Sequence, residues 1–271
     1  MTASPQQPQT ERRFFLAGTP DDGPPRLAPE EARHASTVLR LRPGDPIIGL
    51  DGRGNAWPLM IQGIQRGTVE VVENGPRQTC PPPGDPQAST PEVRVAFSMP
   101  MGGHLDGLID RLTQLGVARF APFVAAHTPV RSRTLTPKLE QRLIRIARTA
   151  CKQSRRLWEP RIEPLRPLAK VIDGTGNSPR VFLDPGATRS LADWCLGLEA
   201  TDPTGPIGPS RGITLYVGPE GGFSPGEIEA FASAAPPVQP TWLGPHILRI
   251  ETATEAAAAV ALHHCTRRPP P

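Results

Sequence analysis

Two short segments place glycines where an apolar run gives way to a helix start. The first, Gly218-Pro219-Glu220-Gly221-Gly222-Phe223, follows the apolar run Ile213-Thr214-Leu215-Tyr216-Val217. Without side chains at 218, 221 and 222 a ligand can approach the backbone, and positive φ costs little. Directly after it, Ser224 as N-cap, Pro225 at the first helical position and Glu227 three residues on form the pattern of a capping box. The second segment, Trp242-Leu243-Gly244-Pro245-His246-Ile247-Leu248, repeats the transition and leads through Arg249 and Glu251 into an alanine-rich stretch. Open α/β sheets place ligands at such points, at the carboxyl ends of strands. No Gly-Lys-Ser/Thr follows either loop and the glycine spacing is wrong for a dinucleotide fingerprint, so neither nucleotide motif is present. Two such loops at adjacent strand ends can form one pocket.

A second pattern is electrostatic. Arg142, Arg145, Arg148, Lys152 and Arg155 recur at helical spacing, so they share one face, while Leu143, Ile146, Ala147 and Ala150 lie on the other. Residues 131–161 hold ten basic side chains, Arg131 and Arg156 among them, against only Glu140 and Glu159. A merely solvated face mixes signs, so the imbalance predicts binding to RNA phosphates. Of the 30 basic residues only 138, 152 and 170 are lysine, and arginine suits bidentate phosphate contacts and base stacking. The formal net charge is +4. His34 and Arg40, in the expected barrel, suit RNA docking, and His34 equally suits packing or capping of the helix on which it sits.

Other chemistries find little support. Cys80, Cys151, Cys195 and Cys265 are scattered, without the paired spacing of a zinc site or a disulfide framework. His263, His264 and Cys265 are adjacent, and neighbours on a helix point to different faces, so no metal is expected. The polar, Pro- and Gln-rich start does not resemble a signal peptide, and no apolar run approaches the ~18 residues of a membrane span. A cytoplasmic protein without membrane association is expected.

The elements that must position these residues fall into two groups. Residues 13–16 read as a strand and 28–39 as a short helix, followed by strands over 45–51, 56–64 and 68–72 separated by glycine turns. This predicts a small β-barrel over 13–74, after a disordered tail over 1–12. The proline-rich stretch 75–91 suits neither helix nor ladder and is expected to be a linker. From 92 to 266 strands at 93–98, 120–124, 181–183, 213–217 and 241–243 alternate with helices at 105–115, 137–158, 190–198, 224–234 and 252–264. That alternation predicts an α/β domain with a parallel sheet.

The paired loops resemble the signature of the bacterial 16S ribosomal RNA uridine-N3 methyltransferases, the RsmE family. The likeness is carried by Gly218-Pro219-Glu220-Gly221-Gly222-Phe223 and by 243–253, Leu-Gly-Pro-His-Ile-Leu-Arg-Ile-Glu-Thr-Ala. Further matches are His34 with Val38-Leu39-Arg40, Gly44-Asp45, Leu112-Thr113-Gln114-Leu115-Gly116-Val117, and Gln153-Ser154 with Arg156 and Pro160. The resemblance implies a PUA-like barrel that binds RNA, followed by a SPOUT-type α/β domain with a trefoil knot that dimerises. It implies S-adenosyl-L-methionine as cofactor, against Leu183-Asp184, Gly218, Pro219, Glu220 and Gly221, and Leu243-Gly244 with Ile247-Leu248. The implied partner is 16S ribosomal RNA in the small subunit. The chain departs from the family pattern at Met101, Gln114, His127-Thr128, Lys152 and Ile250.

Methylating uridine N3 requires loss of its proton and stabilisation of charge on the flanking carbonyl oxygens. Arg249 is the expected stabiliser. Glu220 or Glu251 is the expected base, although Glu251 equally suits a carboxylate interacting with a helix N-terminus. Two alternatives stay open: a SPOUT enzyme acting on another base or a ribose 2′-oxygen, and a non-catalytic RNA-binding assembly factor.

Overall fold

A computed structural model describes residues 11–65, 67–85, 87–100, 103–174, 178–200 and 212–266. Residues 1–10 of the tail expected over 1–12, the departure at Met101 and the side chain of Cys265 lie outside the described residues. The chain divides into two compact units, Met1–Cys80 and Pro81–Pro271.

The first unit contains β1 (Arg13–Gly18), β2 (Arg26–Leu27), α1 (Pro29–Arg33), β3 (Pro46–Leu50), β4 (Asn55–Gln65), β5 (Thr68–Glu73) and β6 (Gln78–Thr79). The strands run in the order β3-β1-β2-β5-β4, and β4 pairs back onto β3, closing a ring of five. Closure gives each strand of the ring a neighbour on both sides. Phe14, Trp57, Leu59 and Ile61 are nearly inaccessible inside it, and alternation along β4 supplies three of them.

Two expectations are corrected here. The helix expected over 28–39 is α-helical only to Arg33, after which His34–Val38 forms a π-type turn. That wider turn closes with Leu39 N donating to His34 O at 3.0 Å, and it leaves Val38 and Leu39 exposed while Ala32 and Ala35 stay in the core. Nor is 75–91 devoid of ladder: Gln78 and Thr79 pair antiparallel with Ala56 and Asn55. Proline removes a donor only where it stands, and neither of these positions is proline.

Among its described residues the second unit holds seven strands: β7 (Val93–Ser98), β8 (Arg119–Val124), β9 (Arg161–Ile162), β10 (Arg166–Pro167), β11 (Arg180–Leu183), β12 (Ile213–Val217) and β13 (Gln239–Thr241). Their order is β10-β8-β7-β12-β11-β13, with β9 also on β8, and every pairing is parallel. The helices are α2 (His104–Leu115), α3 (Pro137–Ser154), α4 (Leu168–Asp173), α5 (Leu191–Ala200), α6 (Pro225–Ser233) and α7 (Ile250–Cys265).

Side chains alternate between two cores, as the two-residue period of a strand requires. Val93, Val95 and Phe97 of β7, with Ile213, Leu215 and Val217 of β12, face α2, α5 and α7. Ala96, Phe182 and Tyr216 face the opposite side, with Phe231 of α6 and Leu168 of α4. Burial on both faces explains why these strands read as continuous apolar runs. Arg94 ties the sheet to its edge: Nε donates to Glu163 Oε1 at 2.8 Å and Nη2 to Oε2 at 2.7 Å. Burial, the largest single influence, raises the Glu163 pKa, but the Arg94 hydrogen bonds together with the charges of Arg94, Arg119 and Arg161 outweigh it and hold the carboxyl below its ordinary value.

The long helix stops at Ser154 rather than at 158, because Arg155 takes a left-handed φ of 60° and the Arg156 amide turns back to Cys151 O at 3.0 Å. The last strand ends at Thr241 instead of continuing to 243, since Trp242 leaves the ladder through one bridge to Ser190.

Candidate functional site

Three loops leave the carboxyl ends of the neighbouring strands β12, β11 and β13 and meet in one cleft of about 170 Å³. Leu183, Asp184 and Pro185 come from the first in sequence. Gly218, Pro219, Glu220, Gly222 and Phe223 come from the second, and Trp242, Leu243, Gly244, His246, Ile247 and Leu248 from the third. Val217, Ile250 and Ala253 form the floor from β12 and α7.

Backbone pairing fixes the first loop to the third. The Asp184 amide donates to Thr241 O at 2.8 Å, Leu191 N to Trp242 O at 2.9 Å, and Trp242 N to Arg189 O at 3.1 Å. The second loop is shaped by a tight turn, with Gly222 N donating to Pro219 O at 2.8 Å, followed by the capping box at α6. Ser224 Oγ accepts from Glu227 N at 3.4 Å, while Glu227 Oε2 accepts from Ser224 N at 2.8 Å. Gly222 has φ +70, a conformation that glycine adopts without the Cβ penalty.

The glycines have separate tasks. A Cβ on Gly218 would stand 3.0 Å from the Phe223 ring, so this glycine makes room for Phe223 rather than for a ligand. At Gly244 nothing lies within 4 Å of such a Cβ, so here the backbone is open to a ligand. Gly221, also expected against the cofactor, turns its Cβ position toward His127 at 3.1 Å.

Among the described residues the lining includes the carboxylates of Glu220 and Asp184 but no lysine or arginine. Asp184 Oδ1 accepts from the Gly186 amide at 2.9 Å, which leaves its second oxygen for other contacts. Glu220 is exposed and has no hydrogen-bond or ion-pair partner among the described residues. Arg249 is the N-cap of α7, one residue beyond the cleft-lining Leu248; its side chain is exposed and makes no capping bond. Glu251 lies in the first turn of α7, 3.8 Å from His104 Nδ1, a place where a carboxylate favours the helix dipole. It does not line the cleft, which leaves Glu220 as the carboxylate there that carries an expected catalytic role.

The structure sorts the expected RNA residues. Arg131 and Arg145 are exposed, and neither has an ion-pair partner among the described residues. Arg142 pairs with Asp106 on α2, and Arg148 Nε reaches Glu159 Oε1 at 3.0 Å. Lys152 is half-buried, and Arg155 is exposed at the helix end. Arg156 is a correction: Nη1 donates to Thr113 O at 2.9 Å and to Val117 O at 2.8 Å, so it anchors the end of α2 instead of joining the basic face. Burial lowers its pKa below the usual arginine range. His34 and Arg40 are both exposed in the first unit, His34 with its ring 6.5 Å from that of Phe14. Burial pushes the Cys151 thiol up to about 11, which makes it a poor nucleophile.

The expected cofactor contacts do not include Pro185, Val217, Gly222, Phe223, Trp242, His246, Ile250 or Ala253, which also line the cleft. Those in the loops flank the expected contacts in sequence, whereas Val217 ends β12 and Ile250 and Ala253 lie on α7, where the tertiary fold brings them to the cleft.

The chain joins a five-strand barrel to a parallel-sheet domain whose loops close on a small cleft, and comparison with known proteins assigns both to an RNA methyltransferase. Residues 87–262 match the RNA methyltransferase domain and residues 27–74 the RNA methyltransferase PUA domain. The ribosomal RNA small subunit methyltransferase E of Synechocystis sp. is 30% identical over 234 residues, 86% of this chain and 71% of that protein. The fold is shared with a Legionella pneumophila methyltransferase solved with bound cofactor SAM, at TM-score 0.74 and 22% identity over 93% of this chain and 96% of the other. It is shared also with a ribosomal RNA small subunit methyltransferase E from Neisseria gonorrhoeae bound to S-adenosyl methionine, at TM-score 0.72 and 24% identity over 92% and 95%. The chain belongs to the ribosomal RNA small subunit methyltransferase E family.

Proposed function

We propose that this protein transfers a methyl group from S-adenosyl-L-methionine to N3 of a uridine in 16S ribosomal RNA of the small subunit. The observation that carries the reading is the cleft's composition. Its walls are apolar, the Gly244 backbone is open, and the acidic side chains among its described lining residues are the carboxylates of Asp184 and Glu220. Apolar walls suit an adenine ring, backbone groups suit its polar edge, and carboxylates suit a cationic sulfonium and amino group. When bound, the cofactor supplies an electrophilic methyl on sulfur.

The chain's own residues must hold the acceptor in line with that methyl, and such positioning is worth up to ~7–11 kcal/mol of the barrier. As N3 attacks, its bond to carbon forms, the carbon–sulfur bond breaks, and the N3 proton is lost. Glu220, exposed at the cleft mouth, can take that proton. Arg249, beside Leu248, can face the charge developing on the flanking carbonyl oxygens. Arg131, Arg145 and the rest of the basic helix, with His34 and Arg40 on the barrel, would hold the RNA backbone.

The protein acts as a homodimer in the cytoplasm in this reading. Among the described residues no helix is long and apolar enough to cross a membrane. For the knot, the support is the path of the chain. It leaves the sheet edge at β13 and returns as α7 against β7, β12, α2 and α5. Mass spectrometry of 16S ribosomal RNA from cells with and without the gene is the test: a uridine should lose one methyl in its absence. An unchanged methylation pattern would overturn the reading.

A further inference from the structure

The loop after β8 is tied to the turn Pro219 to Gly222 by groups the mechanism above does not use. The Ala126 amide donates to Glu227 Oε1 at 2.8 Å, while Oε2 of the same carboxylate accepts from Ser224 N. One carboxylate therefore caps α6 and holds the loop. The next residue, His127, has Nδ1 3.1 Å from Gly222 O. A carbonyl only accepts, so Nδ1 carries the proton in this bond. The side chain fits because Gly221 lacks a Cβ, which would stand 3.3 Å from His127 Cγ.

The loop itself is anchored from behind. The buried Thr128 hydroxyl lies 2.8 Å from Ser98 Oγ and accepts from Ala125 N at 2.8 Å, and Arg133 Nε donates to Thr128 O at 2.9 Å. His127 is thus an exposed side chain on a fixed base, and the same loop continues through Arg131 to the basic helix α3.

We propose that His127 is a positioning residue for methyl transfer: its bond to Gly222 O fixes the turn that carries Glu220 in register with the RNA-facing loop. The proposal rests on the methyltransferase reading. Without His127, the turn is held by β12 at one end and α6 at the other, and its tip loses its lateral support. No proton or methyl passes through the imidazole; its effect is geometric.

The test compares wild type, H127A, H127N and H127Q by calorimetric titration with S-adenosyl-L-methionine and by single-turnover methylation of small subunits that lack the modification. Asparagine places an N–H donor near the Nδ1 position, whereas glutamine carries it one carbon further. H127A should weaken cofactor binding roughly two- to fivefold, as for loss of one exposed hydrogen bond. It should lower the transfer rate on the order of tenfold, since small misplacements are amplified in the rate. The KM for subunits and the melting temperature should stay at wild-type values, and H127N but not H127Q should restore both deficits. H127A behaving as wild type in both assays, or H127Q rescuing as well as H127N, would overturn the proposal. Wild type failing to bind the cofactor would instead overturn the methyltransferase reading beneath it.

Discussion

Gly218 lies beneath Phe223: a Cβ at 218 would stand 3.0 Å from both Cε2 and Cζ of that ring. Phe223 is in turn packed against Phe182 and Phe231, with ring centroids 5.7 and 4.9 Å apart. The glycine therefore couples the strand end to an aromatic cluster under the cleft. Gly218→Ala should push the ring into that cluster and cost about 1–3 kcal/mol, the range for overpacking. Denaturant unfolding checks the loss, and cofactor titration should show weakened binding alongside it. A variant as stable as wild type would show that the ring moves freely.

Arg249→Ala should leave cofactor binding intact, because Arg249 does not line the cleft. Its loss should fall on the rate, by on the order of 10²-fold or more, as for other groups that stabilise developing charge. Single-turnover methylation beside a cofactor titration separates the two quantities. Wild-type turnover would remove Arg249 from the mechanism.

On the basic face the free and the paired residues should behave differently. Arg131 and Arg145 have no ion-pair partner among the described residues, whereas Arg142 and Arg148 are engaged by Asp106 and Glu159. Arg145→Ala should reduce the slope of log affinity against log salt by about one, the change expected for one phosphate contact. Arg142→Ala should change it less, since Asp106 already competes for that charge. RNA-binding isotherms at several salt concentrations decide this, and an affinity indifferent to salt would argue against phosphate contacts altogether.

Acid should loosen the sheet edge at Glu163. Its folded pKa is depressed, so its contribution is present above the ordinary Glu value of ~4.3 and is lost as pH falls through the lower folded value. Glu163→Gln, which cannot pair ionically with Arg94, should cost roughly 1.5–3 kcal/mol at neutral pH, the range for hydrogen bonds to charged groups. It should also flatten the acid limb of the stability curve, which thermal melts from pH 7 downward would reveal. An unaltered acid limb would place the titration elsewhere.

What the sequence determines is local and periodic. Apolar runs at 93–98 and 213–217, the Ser224–Glu227 capping pattern and the two glycine loops are each written in adjacent residues, and each forms as its pattern requires. β9 and β10 leave no such trace, since a two-residue strand has no period and owes its place to its neighbour β8. The three-loop cleft was legible in part: its glycines were visible, but which of them faces a ligand was not. That distinction depends on what stands opposite. Phe223 confronts Gly218, His127 confronts Gly221, and open space confronts Gly244. The same holds for charge. The spacing of the arginines puts 142, 145 and 148 on one helix face, but only the folded chain brings Asp106 to the first and Glu159 to the third. It also buries the Arg156 guanidinium against the carbonyls of Thr113 and Val117. Backbone propensity acts between neighbours in the chain and can be read there; pairing and steric contact act between residues far apart in sequence, and the tertiary structure alone sets those distances.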